Sequence, residues 1–203
     1  MRYPPDRKQA TRRKILDAAL TVFRRDGFEG AGVDAVMAEA GLTAGGFYAH
    51  FKSKEALFAE ALVDALTSAR LIRGLDDDSA VGPERIRRIV AKYLSPTHRR
   101  FVTRGCPMPP LLGELARQNE TVRRDFETVL LDVVGSLAPH MAGDESPARE
   151  DRGLAILALL IGGLSLSRAV ADESLGDRIL AACRNFIETS PALAPDEPKT
   201  GEP

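Results

Sequence analysis

Apolar residues recur at helical spacing along almost the whole chain, and no stretch alternates apolar with polar residues as a half-buried strand does. Over positions 11–26, Ile15, Leu16, Ala19, Val22 and Phe23 fall on one stripe and predict a helix. Gly27 then offers a left-handed closing position, from which Phe28 can fold back on the last turn. A short helix is predicted over 34–40, with Val33, Val36, Met37 and Ala40 apolar, and Gly41 followed by Leu42 closes it in the same way. Thr43 is placed to cap a third helix over 44–51. Gly45 and Gly46 stand side by side inside it, each costing roughly 1 kcal/mol relative to alanine. Ser53 is placed to cap a fourth helix, with Glu55 in its first turn and Leu57, Phe58, Leu62 and Leu66 along it. Two short helices about a tight glycine turn, after a longer supporting helix, make a helix-turn-helix pattern.

Residues 74–82, GLDDDSAVG, then read as a linker. Beyond it, Ile86, Ile89, Val90, Tyr93 and Leu94 mark a helix that Pro96 stops. The proline-rich GCPMPP at 105–110 leads into LLGELARQ. A longer helix carries Val122, Phe126, Val129, Leu130, Val133, Val134 and Leu137, and Pro139 ends it. Two last helices are predicted over 147–172 and 175–189. Prolines and polar residues from 191 onward predict a disordered tail, 191–203. The fold class is therefore all-α.

Composition narrows the classes of function. The chain has 203 residues, 44% apolar and 28% charged, a balance that supports an ordinary soluble core. Net charge is −1, with ten Lys/Arg against eight Asp/Glu in the first sixty residues and eighteen against 21 in the rest. That asymmetry is too mild to argue for nucleic acid by itself. Cys106 and Cys183 are the only cysteines, too few for a disulfide framework or a zinc cluster. The start, MRYPPDRKQATRRK, is polar and basic, unlike a secretory signal. The apolar run at 153–167, between Arg152 and Arg168, is short for a bilayer and reads as a buried helix. A cytoplasmic location with no membrane partner is the expectation.

The segment TRRKILDAALTVFRRDGFEGAGVDAVMAEAGLTAGGFYAHFKSKEALF resembles the DNA-binding domain of the TetR family of bacterial transcriptional regulators. Tyr48, His50, Phe51, Lys54, Glu55 and Leu57 match that family's pattern within FYAHFKSKEALF. The remainder resembles the family's variable half more loosely, best at GCPM and GGLSLSRAVADESLGDRIL. The resemblance implies a three-helix DNA-binding head at 1–56 and a helical ligand-binding and dimerisation domain at 57–190. It implies DNA contacts from Thr43, Ala44, Gly45, Gly46, Tyr48, His50, Lys52 and Lys54. The start of the helix after Thr43 suits a phosphate, and Tyr48, His50 and Lys54 suit phosphate oxygens along one groove edge. Arg2, Arg7, Lys8, Arg12, Arg13 and Lys14 form a basic arm able to add backbone or minor-groove contacts.

Plainer readings stand beside these. Phe47 and Phe51 are expected to pack the small core, Tyr48 could join them with a wet hydroxyl, and His50 could cap a helix end. Lys54 outside the motif would be an ordinary solvated charge, and the arm a solvated face. One departure from the family matters: members often place long polar residues near positions 44 and 49, where this chain has alanine. The nearly bare surface shifts sequence selection toward Tyr48, Lys52, the arm and the deformability of the DNA.

The resemblance also implies a small-molecule pocket, with Phe101, Met108, Leu111, Leu112, Leu115, Phe126, Leu130, Leu159 and Leu160 as candidate lining and an apolar compound as the default inducer. Cys106, at an apparent helix start near Arg104, is a candidate thiol sensor of electrophiles or oxidants, or simply a small buried residue. The dimer seam is sought in the last two helices. Leu160, Gly162, Gly163 and Leu164 supply close approach and Ile179 and Phe186 the second face of a four-helix interface. No HExxH, GxSxG, phosphate-binding loop or dinucleotide fingerprint occurs, and His50, His98 and His140 lack metal-ligand spacing. The expectation is a homodimeric regulator, most simply a repressor released from a double-stranded DNA operator by a small-molecule inducer, with no cofactor, no metal and no enzymatic activity. The alternatives are a thiol-based sensor on the same head and a helical protein-binding adaptor.

Overall fold

The computed structural model describes residues 5–67, 80–102, 105–142 and 148–193. Among them the regular elements are helical. They are α1 (Pro5–Gly30), α2 (Val33–Glu39), a 3-10 helix (Ala44–Ala49), α3 (Lys54–Thr67), α4 (Gly82–Tyr93) and α5 (Pro96–Arg100). After these come α6 (Met108–Ala116), α7 (Glu120–Leu137), α8 (Ala148–Ala169) and α9 (Glu173–Glu188). The chain divides into two compact units, Met1–Leu71 with Phe101–Val129, and Ile72–Arg100 with Leu130–Pro203. This grouping cuts across a division at residue 56: α3 and α6 both pack on α1.

In the first unit α1 begins at Pro5, earlier than the apolar stripe indicates, and Pro at a helix start costs no backbone hydrogen bond. The helix breaks at Gly27, with φ 72° and ψ 175°. That is the extended glycine-only region rather than the left-handed helical one expected from sequence. The break turns Phe28 back against Phe23 at 6.0 Å and edge-on to Phe58 at 5.0 Å. Phe23, Phe28, Phe47 and Phe58 join Ile15, Met37 and Leu57 in one core, and Leu111, Leu115 and Val122 complete it.

In the second unit α8 and α9 pack along each other. Asp172 caps α9 by accepting a hydrogen bond from the Ser174 N–H at 2.8 Å. α5 is tied to both helices by arginines. Arg99 donates to the Ser167 carbonyl at 2.8 Å and to the Glu173 carbonyl at 3.2 Å, and Arg168 donates to the His98 carbonyl at 2.7 Å. Pro96 starts a helix as well as stopping one, because Ser95 caps α5 through its hydroxyl. By length and composition alone α8 could cross a membrane. Within the unit, however, its Leu157, Leu160, Gly163 and Leu164 are buried.

Two boundaries differ from the sequence expectation. Residues 191–193 form a 3-10 turn with Ala192 and Leu193 buried, so the described chain stays ordered past the expected start of the tail. Arg87 donates to the Leu193 carbonyl at 2.7 Å and the Ala142 N–H to the Ala192 carbonyl at 2.9 Å, which is what holds the turn. The expected linker ends in structure too: Ala80 is buried and Gly82 opens α4. Residues 74–79 and 194–203 lie outside the described residues.

Candidate nucleic-acid interface

The link between α2 and the 3-10 helix is built by local hydrogen bonding. Gly41, at φ 69°, lets its N–H reach the Ala38 carbonyl at 3.0 Å while the Leu42 N–H reaches Met37 at 2.8 Å. These are the paired bonds of a Schellman ending, and they fix the sharp turn between the two short helices. Thr43 follows in extended conformation at the N-cap but makes no side-chain capping bond. This corrects the expected cap. The N–H its hydroxyl would reach, that of Gly46, is bound by the Thr43 carbonyl at 3.1 Å instead.

Residues 44–49 therefore form a 3-10 helix rather than the expected α-helix through 51. Six residues is long for this form, whose eclipsed side chains favour short runs. Neither Gly45 nor Gly46 has a positive φ, so backbone geometry does not require glycine at either. A Cβ on Gly46 would touch Met37 at an ordinary 3.6 Å, and one on Gly45 would meet nothing within 4 Å. The bareness of this surface is not a packing requirement of the head.

Phe47 and Phe51 are buried and stack at 5.9 Å, anchoring the turn from beneath. Tyr48 stands edge-on to Phe47 at 5.1 Å and is 75% exposed, so it is not a core residue. Thr43, Ala44, Gly45, Ala49 and Lys52 are exposed around it. His50 is half-buried with Nδ1 enclosed and without a hydrogen-bond partner. Burial, then the charges of Lys8 and Arg12, push its pKa below the usual histidine range and favour the neutral ring.

Ser53 caps α3 as expected, accepting from the Ala56 N–H at 3.2 Å. Its hydroxyl, then a backbone N–H, hold the Glu55 carboxyl below the ordinary glutamate range. Lys54 donates to the Phe28 carbonyl at 2.9 Å and lies 4.3 Å above that ring. An ammonium has three protons, so this anchoring leaves donors for a phosphate.

Part of the basic arm is committed to the fold. The Arg12 guanidinium sits 4.4 Å over Phe51 and pairs with Glu60, while Arg13 pairs with Asp64 at 2.6 Å. Lys8 and Lys14 are exposed, and Arg2 lies outside the described residues. The Arg12 and Lys54 contacts escaped sequence reasoning, because their partners are 48 and 26 residues away.

The remaining candidates are scattered. In the first unit Met108, Leu111 and Leu115 are buried, the last two in the same core as Phe23. Phe126 packs against that core, whereas Leu112 is exposed and Phe101 is 54% exposed. In the second unit Leu130 and Leu159 are half-buried. Cys106 is buried, and its sulfur accepts from the Met108 N–H at 3.4 Å. Arg104, the cation invoked beside it, lies outside the described residues.

Of the expected seam residues, Leu160, Gly163 and Leu164 are buried within their own unit. A Cβ on Gly163 would fall 2.8 Å from Cys183 Sγ, so this glycine serves α8–α9 packing inside one protomer. Gly162 and Ile179 are half-buried, and Phe186 is 67% exposed. Leu154, Ala158, Gly162 and Leu166 recur every four residues along α8, on a face whose ends are exposed.

Residues 15–61 match the family described as bacterial regulatory proteins, tetR family. That match identifies a TetR-family segment over residues 15–61. The matched span runs from the core of α1 through the 3-10 helix into α3. It is 43% identical over 54 residues to the uncharacterized HTH-type transcriptional regulator YdgC of Bacillus subtilis (strain 168), covering 27% of this chain and 28% of YdgC. Matches to curated relatives span between 21% and 32% of the relatives' own length.

Likeness of fold extends further. The reduced form of E. coli NemR superposes with a TM-score of 0.73 at 18% identity, covering 88% of this chain and 95% of NemR. The transcriptional regulator FadR from Bacillus subtilis, in complex with stearoyl-CoA, gives 0.63 at 17% identity over 84% and 96%. These two support the all-helical fold of the chain.

Proposed function

We propose that the chain is a homodimeric DNA-binding repressor, acting in the cytoplasm and released from its operator by a small molecule. The observation that carries this reading is the 3-10 surface inside the family-matched span. Tyr48 and Lys52 are exposed there, above a core pinned by Phe47 and Phe51. In a helix-turn-helix the second short element enters the major groove, and flanking polar groups hold phosphates. Tyr48, His50, Lys52 and Lys54 take that positioning role, with Thr43, Ala44, Gly45 and Gly46 facing the groove.

Release has a physical route inside the first unit. Leu111 and Leu115 of α6 share one core with Phe23 and Phe58, and close-packed cores transmit small displacements. A ligand that repacks Met108, Leu111, Leu115 or Phe126 therefore bears on α1 and on the turn it supports. An apolar ligand fits these side chains, and FadR bound to stearoyl-CoA offers one precedent among structures of this fold. Phe101 and Leu112 complete the proposed ligand-responsive set within the first unit. The protein acts by binding rather than catalysis.

The test selects bound fragments from the source genome with the full chain, then adds candidate compounds. A short near-palindromic site, bound with steep salt dependence and released by one compound class, is the expected result. Failure to retain any fragment at low salt would leave a protein-binding adaptor as the better reading.

A further inference from the structure

Resting on the reading of the head as a DNA-binding unit, we infer that the chain selects its operator by packing thymine 5-methyl groups against the methyls of Thr43, Ala44 and Ala49. The side chains available at the groove surface lead to this. From 43 to 49 the residues are Thr, Ala, Gly, Gly, Phe, Tyr and Ala. Phe47 is buried and Gly46 is half-buried, so Thr43, Ala44, Gly45, Tyr48 and Ala49 form the exposed surface. Guanine is read in the major groove by Arg or Lys, adenine by Asn or Gln, and the cytosine amino group by a carboxylate. None of these side chains is on that surface.

Nearby cations do not substitute. Arg12 lies over Phe51 and pairs with Glu60, Arg13 pairs with Asp64, and Lys54 is anchored on Phe28. Lys52 comes after the end of the 3-10 helix. The hydroxyls of Thr43 and Tyr48 both donate and accept, so they meet either kind of base edge and discriminate weakly.

Methyl groups discriminate sharply by comparison. Against a carbonyl or amino edge an alanine methyl strips water and returns no hydrogen bond, whereas against a thymine methyl it buries apolar surface on both sides. A methyl this short reaches the base edge only if the backbone comes close. Open space where a Gly45 Cβ would stand permits that approach.

The test uses the duplex that the full chain selects from a randomised pool. It is resynthesised with deoxyuridine replacing deoxythymidine one position at a time, which removes only the 5-methyl. Affinity is measured at fixed salt. At contacted positions the uracil duplex is expected to bind about fourfold more weakly, the weight of one buried methyl. A G·5-methylcytosine pair placed there is expected to bind more tightly than G·C.

Ala44→Gly and Ala49→Gly, checked for unchanged melting, are each expected to erase the thymine–uracil difference at one position. Uracil duplexes bound as tightly as the thymine duplex at every position overturn the methyl reading while leaving DNA binding intact. If no duplex is enriched from the pool, the DNA-binding reading falls and this inference with it.

Discussion

Gly27 holds φ at 72° and ψ at 175°, a combination that a side chain strains, and its added Cβ would stand 3.4 Å from Glu114 Oε1. Gly45 has neither constraint: its φ is not positive and the space around it is empty. The two glycines therefore predict opposite outcomes on alanine substitution. Gly27→Ala is expected to destabilise the fold by about 1–3 kcal/mol, read from urea unfolding. Gly45→Ala is expected to melt at the same temperature or higher, since alanine gains up to roughly 1 kcal/mol over glycine in helical backbone. Its operator affinity is expected to fall, because the new methyl enlarges the gap between backbone and groove. A Gly45→Ala protein that melts higher and binds as tightly as the parent sinks the close-approach account.

At the scale of elements, what was legible in the sequence was whatever is decided within a few residues. Gly41 followed by Leu42 announced the Schellman ending of α2, and Ser53 announced the cap of α3. Tyr48, His50 and Lys54 were singled out together because they fall close in sequence across two consecutive elements. The Thr43 cap failed for an equally local reason, since a 3-10 start hands the Gly46 N–H to the carbonyl. Contacts between distant segments were not legible. Leu111 and Leu115 read as lining of a second domain, yet they close the core around Phe23. Gly163 read as a seam residue because small residues suit any close helix approach, whether inside a protomer or between two. Its neighbours decide the matter: an added Cβ would lie 2.8 Å from Cys183 Sγ and 3.3 Å from Leu94 Cδ2. Gly163→Ala is expected to cost about 1–3 kcal/mol by overpacking α8 against α9. Adding Cys183→Ala should recover part of that loss in thermal melts. No recovery would mean that the strain sits at Leu94 instead.

For the whole molecule, the proposed dimer has to present two heads to a two-fold operator. α8 is apolar enough to span a membrane by composition, yet only 39% of its most apolar window is buried in the chain. Its exposed side carries Leu154, Ala158 and Leu166, and α9 adds Ala182 and Phe186. Leu166 and Phe186 are 60% and 67% exposed, a large apolar presentation for a monomer in water. A second copy using the same face would bury all of these through one isologous contact, as two-fold symmetry requires. Gly162, with nothing within 4 Å of an added Cβ, leaves room for a partner helix where Gly163 does not. The decisive variant is Phe186→Asp, which places a charge at the proposed seam while leaving the buried Leu160 and Leu164 unchanged. It is expected to give a monomer in sedimentation at micromolar concentration with its helical circular dichroism intact. Operator affinity should fall steeply, since a lone head keeps one half-site's contacts and loses the effective concentration supplied by its partner. Gly162→Leu should act in the same direction by crowding the approach. A Phe186→Asp protein that sediments as a dimer and still binds the full palindrome would move the seam off α8 and α9 altogether.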